Sequence, residues 1–364
     1  MTERRVGTKR HKTLSDVAAR ARVSPVTVSR ALRQPEMVSA ELRQRIERAV
    51  RELAYIPNQF ARALASARTG TIGVLVPSLT NGVFADYLRA LHDTFLPAGF
   101  QLLLFNSRYQ PEEEEKAIRT LLSQHPEAII LAGVDQTTHS RRLLKRAGVP
   151  VIQTMELTND PIDVNIGFSQ IEAGKAATGR LLALGHRRIG HVAARMDPRA
   201  RRRMEGYTRA MAEFGLDTAG MIATTSRPSK VGLGAELFGE LLEHTPNLEA
   251  LFCCNDDLAL GALFECLRRG IRVPDDVSIM GFNDLEFCAS THPTLTSVTT
   301  PRHEMGRRAA EIVLEIIRGA GARPRDRCID LGFTITERQS TRGRAIGGAA
   351  RPRPTPVTDV KSGR

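Results

Sequence analysis

The chain has 364 residues, a hydrophobic fraction of 41% and a formal net charge of +12 at pH 7. That length allows two or three domains with sizeable cores, and the composition is that of an ordinary globular protein rather than a disordered or fibrous one. No apolar run approaches the roughly 18 residues of a membrane span, and the opening MTERRVGTKRHK lacks the apolar stretch of a secretion signal, so a cytoplasmic protein with no membrane partner is expected.

The charge is uneven. Residues 1–70 hold fifteen Lys/Arg against six Asp/Glu, a net +9, and residues 338–364 hold seven against one, a net +6, which leaves −3 of the +12 for the middle. A basic head, a mildly acidic body and a basic tail place any polyanion contact at the ends. The five cysteines (Cys253, Cys254, Cys266, Cys288, Cys328) form no CxxC pair and sit mostly in apolar surroundings. They read as buried free thiols rather than disulfides or metal ligands.

In chain order, Thr13 with Asp16 three positions on forms a capping box, and Leu14, Val17, Ala18 and Ala21 fall on one helical face. A second helix starts at Ser24, an N-cap residue, with Pro25 at the first helical position and Val28, Ala31 and Leu32 as its inner face. A third cap, Ser39, precedes the stripe Leu42, Ile46, Ala49 and Leu53, which Pro57 ends. Three short helices, the first two joined by a tight turn, describe a helix-turn-helix. In that motif the second helix enters the major groove of DNA, which brings Ser24, Pro25, Val26, Thr27, Ser29 and Arg30 toward the bases. Arg30 suits a bidentate pair with guanine or a phosphate, whereas Pro25 and Val26 offer only apolar contact, for example to a thymine methyl. A helical hairpin used for protein contact is the alternative.

The segment NQFARALA, Asn58 to Ala65, is long enough for only about two helical turns, and an isolated helix of that length is marginal in water. Asn58 is a good cap, and Phe60, Ala61 and Leu64 share a face, so the segment folds once a partner covers that face. A plain linker is the other reading. From residue 70 onward, short apolar runs alternate with amphipathic stretches. TIGVLV, QLLLF, EAIILA, PVIQT, RIGHVA, MIATT, ALFCC and VSIMGF are the strand candidates. The alternation predicts parallel sheets flanked by helices, and their number predicts two α/β subdomains, roughly 70–160 with the chain end returning and 161–290. Ligands of such folds bind at the carboxyl ends of the strands.

No phosphate loop, dinucleotide fingerprint, HExxH or Gly-x-Ser-x-Gly elbow occurs. GLGAELFGE lies inside or at the start of a helix, and His186 and His191 are spaced for structural roles rather than for two helical ligands. A non-enzyme is expected, with no cofactor and no metal.

TLSDVAARARVSPVTVSRAL followed by VSAELRQRIERAVRELAYIPNQFARALA resembles the DNA-binding head of the lactose/galactose repressor (LacI/GalR) family. One departure is Arg22, where relatives usually carry Gly, so the backbone there is expected to be strained or differently turned. LALGHRRIGHV, RRRMEGY, CCNDDLALGALFECLRRGIRVPDDVSIMGFND and LTSVTTP resemble the family's effector domain, of periplasmic-binding-protein-like fold. The resemblance runs over about residues 13–335. VPSLTNGVFAD, ELTND, IGF, ARMDPRARRRMEGY and DLGFT are similar to gluconate-utilisation repressors within it.

The resemblance implies an N-terminal all-α helix-turn-helix domain (1–57), a hinge helix and linker (58–69), and an effector-binding and dimerisation domain of two parallel-sheet subdomains (70–337). A basic, disordered tail (338–364) follows, read from its Arg, Pro and Gly content. The implied protein is a homodimeric regulator of transcription on a pseudo-palindromic operator, released by a small effector. That effector is a sugar or a sugar acid such as gluconate or a phosphorylated relative. Thr13, Leu14, Asn58, Ala61 and Leu64 join the candidate DNA contacts, with Leu64 matching the residue a paired hinge pushes into the minor groove. Matched positions place Asn81, Phe84, Arg203, Asn255 and Asn283 in the effector cleft, Arg203 clamping a carboxylate or diol and the asparagines meeting hydroxyls. Many relatives carry Asp where Asn283 stands, and its absence favours an anionic ligand. Asn255 with Asp256 also reads as a plain helix cap, and Arg201 to Arg203 as a solvated face. A sugar-binding protein of transport type or a sugar-responsive activator is the alternative function.

Overall fold

Capping chemistry sets the start of each helix in the N-terminal region of the computed structural model, which describes residues 12–56, 68–319 and 323–344. Helix α1 (Leu14–Ala21) begins with the expected box: Thr13 Oγ1 accepts from the Asp16 amide at 3.3 Å and Asp16 Oδ2 accepts from the Thr13 amide at 2.7 Å. Ser24 caps α2 (Pro25–Arg33) through the Thr27 amide at 3.1 Å, and Ser39 caps α3 (Ala40–Glu52) through the Leu42 amide at 3.4 Å. Arg22 closes α1 in the left-handed region (φ 53°, ψ 50°), the conformation a glycine would adopt without steric cost. The turn is therefore the ordinary one, held by a residue that strains to make it. Val17, Ala18, Ala21, Val28, Ala31, Ile46, Ala49 and Tyr55 form the core of the three helices. Leu32, expected on the inner face of α2, is 37% exposed instead, because Val28 and Ala31 already fill the space toward α1.

Residues 1–69 and 70–364 form separate compact units. The second is built on two six-stranded sheets. Its elements are β1 (Thr71–Val76), α4 (Val83–Phe95), β2 (Gln101–Asn106), α5 (Pro111–Ser123), β3 (Ala128–Leu131), α6 (Thr138–Arg146), β4 (Val151–Thr154) and β5 (Val164–Gly167). There follow α7 (Gln170–Ala183), β6 (Ile189–Ala194), α8 (Pro198–Glu213), β7 (Ile222–Thr225), α9 (Val231–His244), β8 (Ala250–Cys253), α10 (Asp256–Arg269) and β9 (Ser278–Asn283). The chain ends with β10 (Thr296–Thr299), α11 (Arg302–Arg318), β11 (Cys328–Asp330) and β12 (Thr334–Thr336). The first sheet has the order β11-β5-β4-β3-β1-β2, and the second β12-β10-β9-β8-β6-β7. Every pairing is parallel except β10 with β12.

All eight expected strands are present, and four more, β5, β10, β11 and β12, are added. The expected boundary at 161 is corrected by β5, which pairs with β4 and keeps the chain in the first sheet to Gly167. The chain crosses between the sheets after β5, after β10 and after β11, and α11 returns to pack on α4. The expectation that a disordered tail starts at 338 is also corrected. Ser340 is fully buried, accepting from the Thr296 amide at 2.8 Å and donating to Ile279 O at 2.6 Å. Arg338, Arg342 and Arg344 pair with Asp284, Asp275 and Glu249, each at 2.7 Å, so the acidic body neutralises the first part of the tail. The rest of the tail, 345–364, and the hinge residues Asn58, Ala61 and Leu64 lie outside the described residues.

Candidate functional site

The strands of both sheets end at one cleft. Its wall is drawn from the loops after β1, β2, β6, β7 and β8, the last residue of β9 and the first turns of α4 and α8, and it opens to solvent. The carboxyl-end placement is that expected of open parallel sheets. Asn81, Phe84, Arg203, Asn255 and Asn283, far apart in sequence, all border this space. So do Tyr109, Arg195, Asp197, Arg199, Ser229 and Cys254, which the sequence reading did not single out.

Arg203 is fixed before any ligand arrives. Its Nε donates to Gln170 Oε1 at 2.7 Å, its Nη1 donates to Cys254 O at 2.6 Å, and its guanidinium lies 3.8 Å from the centroid of the Phe282 ring. Burial pulls its pKa down to about 10, so it stays charged at neutral pH. Nη2 alone makes no hydrogen bond to the described protein atoms, and it belongs to a residue bordering the cleft. The fork that sequence matching assigns to a carboxylate therefore has one nitrogen to offer rather than two. Its position depends on the close approach of α7 and α8: a Cβ on Gly206 would lie 2.1 Å from Ile171 O, and one on Gly174 would lie 2.4 Å from Arg203 O.

The three consecutive arginines divide their work. Arg201 is exposed, Arg202 reaches Asp135 at 2.5 Å and Glu156 at 3.6 Å, and Arg203 turns into the cleft. Asp135 and Glu156 follow strands of the first sheet, so Arg202 ties the two subdomains beside the site. Arg302 makes a second tie, donating to Asn283 O and, at 3.3 Å, to Asp86 Oδ2 on α4.

Asn255 is both a cap and a lining residue. Its Oδ1 accepts from the Leu258 amide at 3.0 Å, and its Nδ2 donates to Ser229 Oγ at 2.8 Å. Asp256, expected to cap α10, does not. It is fully buried, accepting from the Leu285 amide at 2.8 Å and from Ser297 Oγ at 2.6 Å, so it binds the start of α10 to the segment that carries Asn283. A Cβ on Gly281 would fall 2.3 Å from Asp256 Oδ1, which is why that strand position has no side chain. Asn283 is 3% exposed, sits at φ 112° and makes no side-chain hydrogen bond within the described protein. Asn81 Oδ1 accepts from the Val83 amide at 3.1 Å, which orients its amide at the start of α4.

His186 and His191 are buried in the fold. His191 is stacked on Tyr207 at 5.1 Å, lies tilted against Phe252 at 5.0 Å, and donates from Nδ1 to Phe252 O at 2.9 Å; burial lowers its pKa to about 3 and keeps it neutral. Cys253, Cys254, Cys266 and Cys288 are buried free thiols as expected, whereas Cys328 is exposed.

In the N-terminal unit, Ser24, Pro25 and Arg30 are exposed at the start and outer face of α2, and Val26 is 68% exposed. Thr27 and Ser29 are half-buried, with Thr27 Oγ1 2.8 Å from Ser24 Oγ. Thr13 is exposed and Leu14 packs on the core edge. Among the described residues no helix is long and apolar enough to cross a membrane.

Two family models match: bacterial regulatory proteins, lacI family, over residues 13–58, and the periplasmic binding protein-like domain over 178–341. The HTH-type transcriptional regulator GntR of Pseudomonas aeruginosa is 45% identical over 329 residues, covering 90% of this chain and 95% of that protein. A LacI-family transcriptional regulator from Silicibacter pomeroyi aligns in three dimensions with a TM-score of 0.84 at 34% identity, over 91% of this chain and 99% of that one. The lac repressor dimer bound to operator and an anti-inducer aligns with a TM-score of 0.78 at 26% identity, over 92% and 100%. With the helix-turn-helix and the two-sheet unit both matched over nearly their whole length, the chain is a DNA-binding transcriptional regulator and belongs to the lacI family of bacterial regulatory proteins.

Proposed function

We propose that this regulator represses transcription as a homodimer on operator DNA and leaves it when a sugar acid such as gluconate occupies the cleft. The observation that carries the reading is Arg203: a permanently charged group, buried and held by two hydrogen bonds and an aromatic face, with one nitrogen left beside the cavity. A buried cation without a carboxylate partner favours an anionic ligand. The amides of Asn81, Asn255 and Asn283 and the Ser229 hydroxyl supply donors and acceptors for the hydroxyls of a polyol chain. In the N-terminal unit, exposed Val26 and Arg30 give α2 one apolar and one cationic group for base edges, as in other helix-turn-helix proteins.

The cleft lies between subdomains joined by three chain crossings, so a ligand that binds one relative setting of the sheets better than another shifts their equilibrium. The coupling is reciprocal: the effector weakens operator binding by the factor by which operator weakens effector binding. Gel-shift titration of the full chain on its own promoter tests the reading. Release by gluconate but not by glucose is the expected result. Release by neutral sugars alone, or tighter DNA binding with gluconate, would overturn it.

A further inference from the structure

Gln170 stands where the chain first crosses between the sheets. It is the first residue of α7, follows the end of β5 at Gly167 closely, and is 2% exposed. Both ends of its side-chain amide are engaged, and by different subdomains. Nε2 donates to Met155 O at 2.9 Å, just past the end of β4, while Oε1 accepts from Arg203 Nε at 2.7 Å, on α8. A guanidinium only donates and a carbonyl only accepts, so the amide has one possible orientation here. Its neutrality also matters: a carboxylate at this position would neutralise Arg203 and face Met155 O with a second acceptor. Gln170 itself does not border the cleft.

The receiving side has little freedom. Met155 is 3% exposed and lies at φ 76°, a conformation that a non-glycine residue holds only where its surroundings demand it. Its amide donates to Met305 Sδ on α11 at 3.1 Å, and the preceding residue, Thr154, is hydrogen-bonded through Oγ1 to the Tyr87 hydroxyl on α4 at 2.9 Å. Helices α4 and α11 are themselves pressed together, since a Cβ on Gly306 would lie 2.5 Å from Tyr87 O. Toward β5 the turn cannot back away either, because a Cβ on Gly167 would lie 2.6 Å from Glu156 O. Close packing of this kind transmits a displacement rather than absorbing it.

We propose that Gln170 is the positioning residue through which the first subdomain reads occupancy of the cleft at Arg203. This rests on the release reading given above and names a residue that carries it. A ligand drawn to Arg203 Nη2 shifts the planar guanidinium as one body, Gln170 follows because its Oε1 is bonded to Nε of the same plane, and Met155 passes the movement to α4 and α11. Gln170 contributes to control by the ligand without contacting the ligand.

The quantity that tests this is the coupling factor, the ratio of operator dissociation constants of the full chain with and without saturating gluconate, read by gel shift beside calorimetry of gluconate on the free protein. The wild type should show a factor of about 5–150. Gln170→Met keeps the length and burial of the side chain but makes neither hydrogen bond, and it should bring the factor below about twofold while operator affinity without gluconate stays within about threefold of wild type. Gln170→Asn retains the amide but is one methylene too short to bridge, so it should lower the factor as well; it is the milder change and decides the matter if the Met variant does not fold. Met305→Leu removes the sulfur acceptor at the far end and should reduce the factor with gluconate affinity unchanged. A residue that only holds the fold would lower the unfolding temperature with the factor intact, and that result in a folded Gln170 variant overturns the proposal. Loss of gluconate binding by the free Gln170 variants also overturns it, because it would make Gln170 part of the binding site. A wild type whose operator binding ignores gluconate overturns the release reading and the proposal together, whereas wild-type coupling that survives in the variants overturns the role of Gln170 alone.

Discussion

The carboxyl of Asp256 provides a quantitative test of how the cleft is held. It is fully buried, and burial raises its pKa from 3.8 to about 6, against the lowering effect of its hydrogen bonds from Ser297 and Leu285. A carboxyl whose pKa is raised by folding makes the native state bind more protons than the unfolded chain between those two values. Stability therefore falls as pH rises from about 3.8 to about 6, and is flat outside that window. The full effect of a two-unit shift is about 3 kcal/mol, of which about 2 kcal/mol is recovered on going from about pH 7.5 to about pH 4.5. Asp256→Asn can keep both contacts, with its oxygen accepting from Leu285 and its nitrogen donating to Ser297 Oγ, but it cannot ionise. Burial also pushes Glu156 and Asp257 up, and hydrogen bonds from neighbouring arginines pull Glu265 and Glu304 down, so the quantity to measure is the difference between wild type and variant. Urea denaturation at fixed protomer concentration should show the wild type gaining about 2 kcal/mol on Asp256→Asn between those pH values. A difference that stays constant with pH, or grows in favour of the wild type at high pH, would refute the assignment of an ionised, strained carboxylate at this junction.

Arg30→Ala should cost about 1–3 kcal/mol on operator in a binding titration if Arg30 reads a base, whereas equal weakening on operator and random DNA assigns it to a phosphate. Gly206→Ala places a methyl 2.1 Å from Ile171 O, so α7 and α8 must separate; a loss of about 1–3 kcal/mol or more is expected on thermal unfolding, with weaker effector binding because Arg203 moves with α8. If Leu64 enters the minor groove as the family resemblance implies, Leu64→Ala keeps helix propensity but removes the wedge, so specific affinity and DNA bending should fall far more than nonspecific affinity, and undiminished bending in a gel assay would make NQFARALA only a linker.

The sheets were readable because their central strands are apolar on both faces. Residues 128–131 and 250–253 are buried throughout, and such runs stand out from amphipathic helices without any pairing information. The four strands that were not read have other origins. Three-residue β11 and β12 and the polar TSVT of β10 take their extended form from neighbours supplied by distant chain: β11 lies against β5, and β10 lies between β9 and β12. The early cut at 161 fails for the same reason, since only the pairing of β5 with β4 shows that VNIG belongs to the first sheet. Similarly, the net charge of the tail gives no sign that Arg338, Arg342 and Arg344 have carboxylate partners more than 50 residues earlier.

For the cleft, family-matched positions after the strands were enough to bring five residues to one cavity, but their chemistry was less legible than their location. In RARRRMEGY, three arginines in succession carry identical local information, and a helix turns each by about 100°. Burial then decides: α7 approaches α8 at Gly174 and Gly206 so closely that the Arg203 position must face inward, and Gln170 and Cys254 O are there to receive it. Tyr109 shows the converse case. Nothing in RYQP distinguishes it from a surface tyrosine, and it acquires significance only because β6 ends opposite with Arg195 aimed at its ring. Sequence thus identifies residues whose role comes from their own element, such as caps and strand cores. Residues whose role comes from a partner on the other sheet, as Tyr109 and Arg195 have for one another, stay hidden until the sheets are placed together.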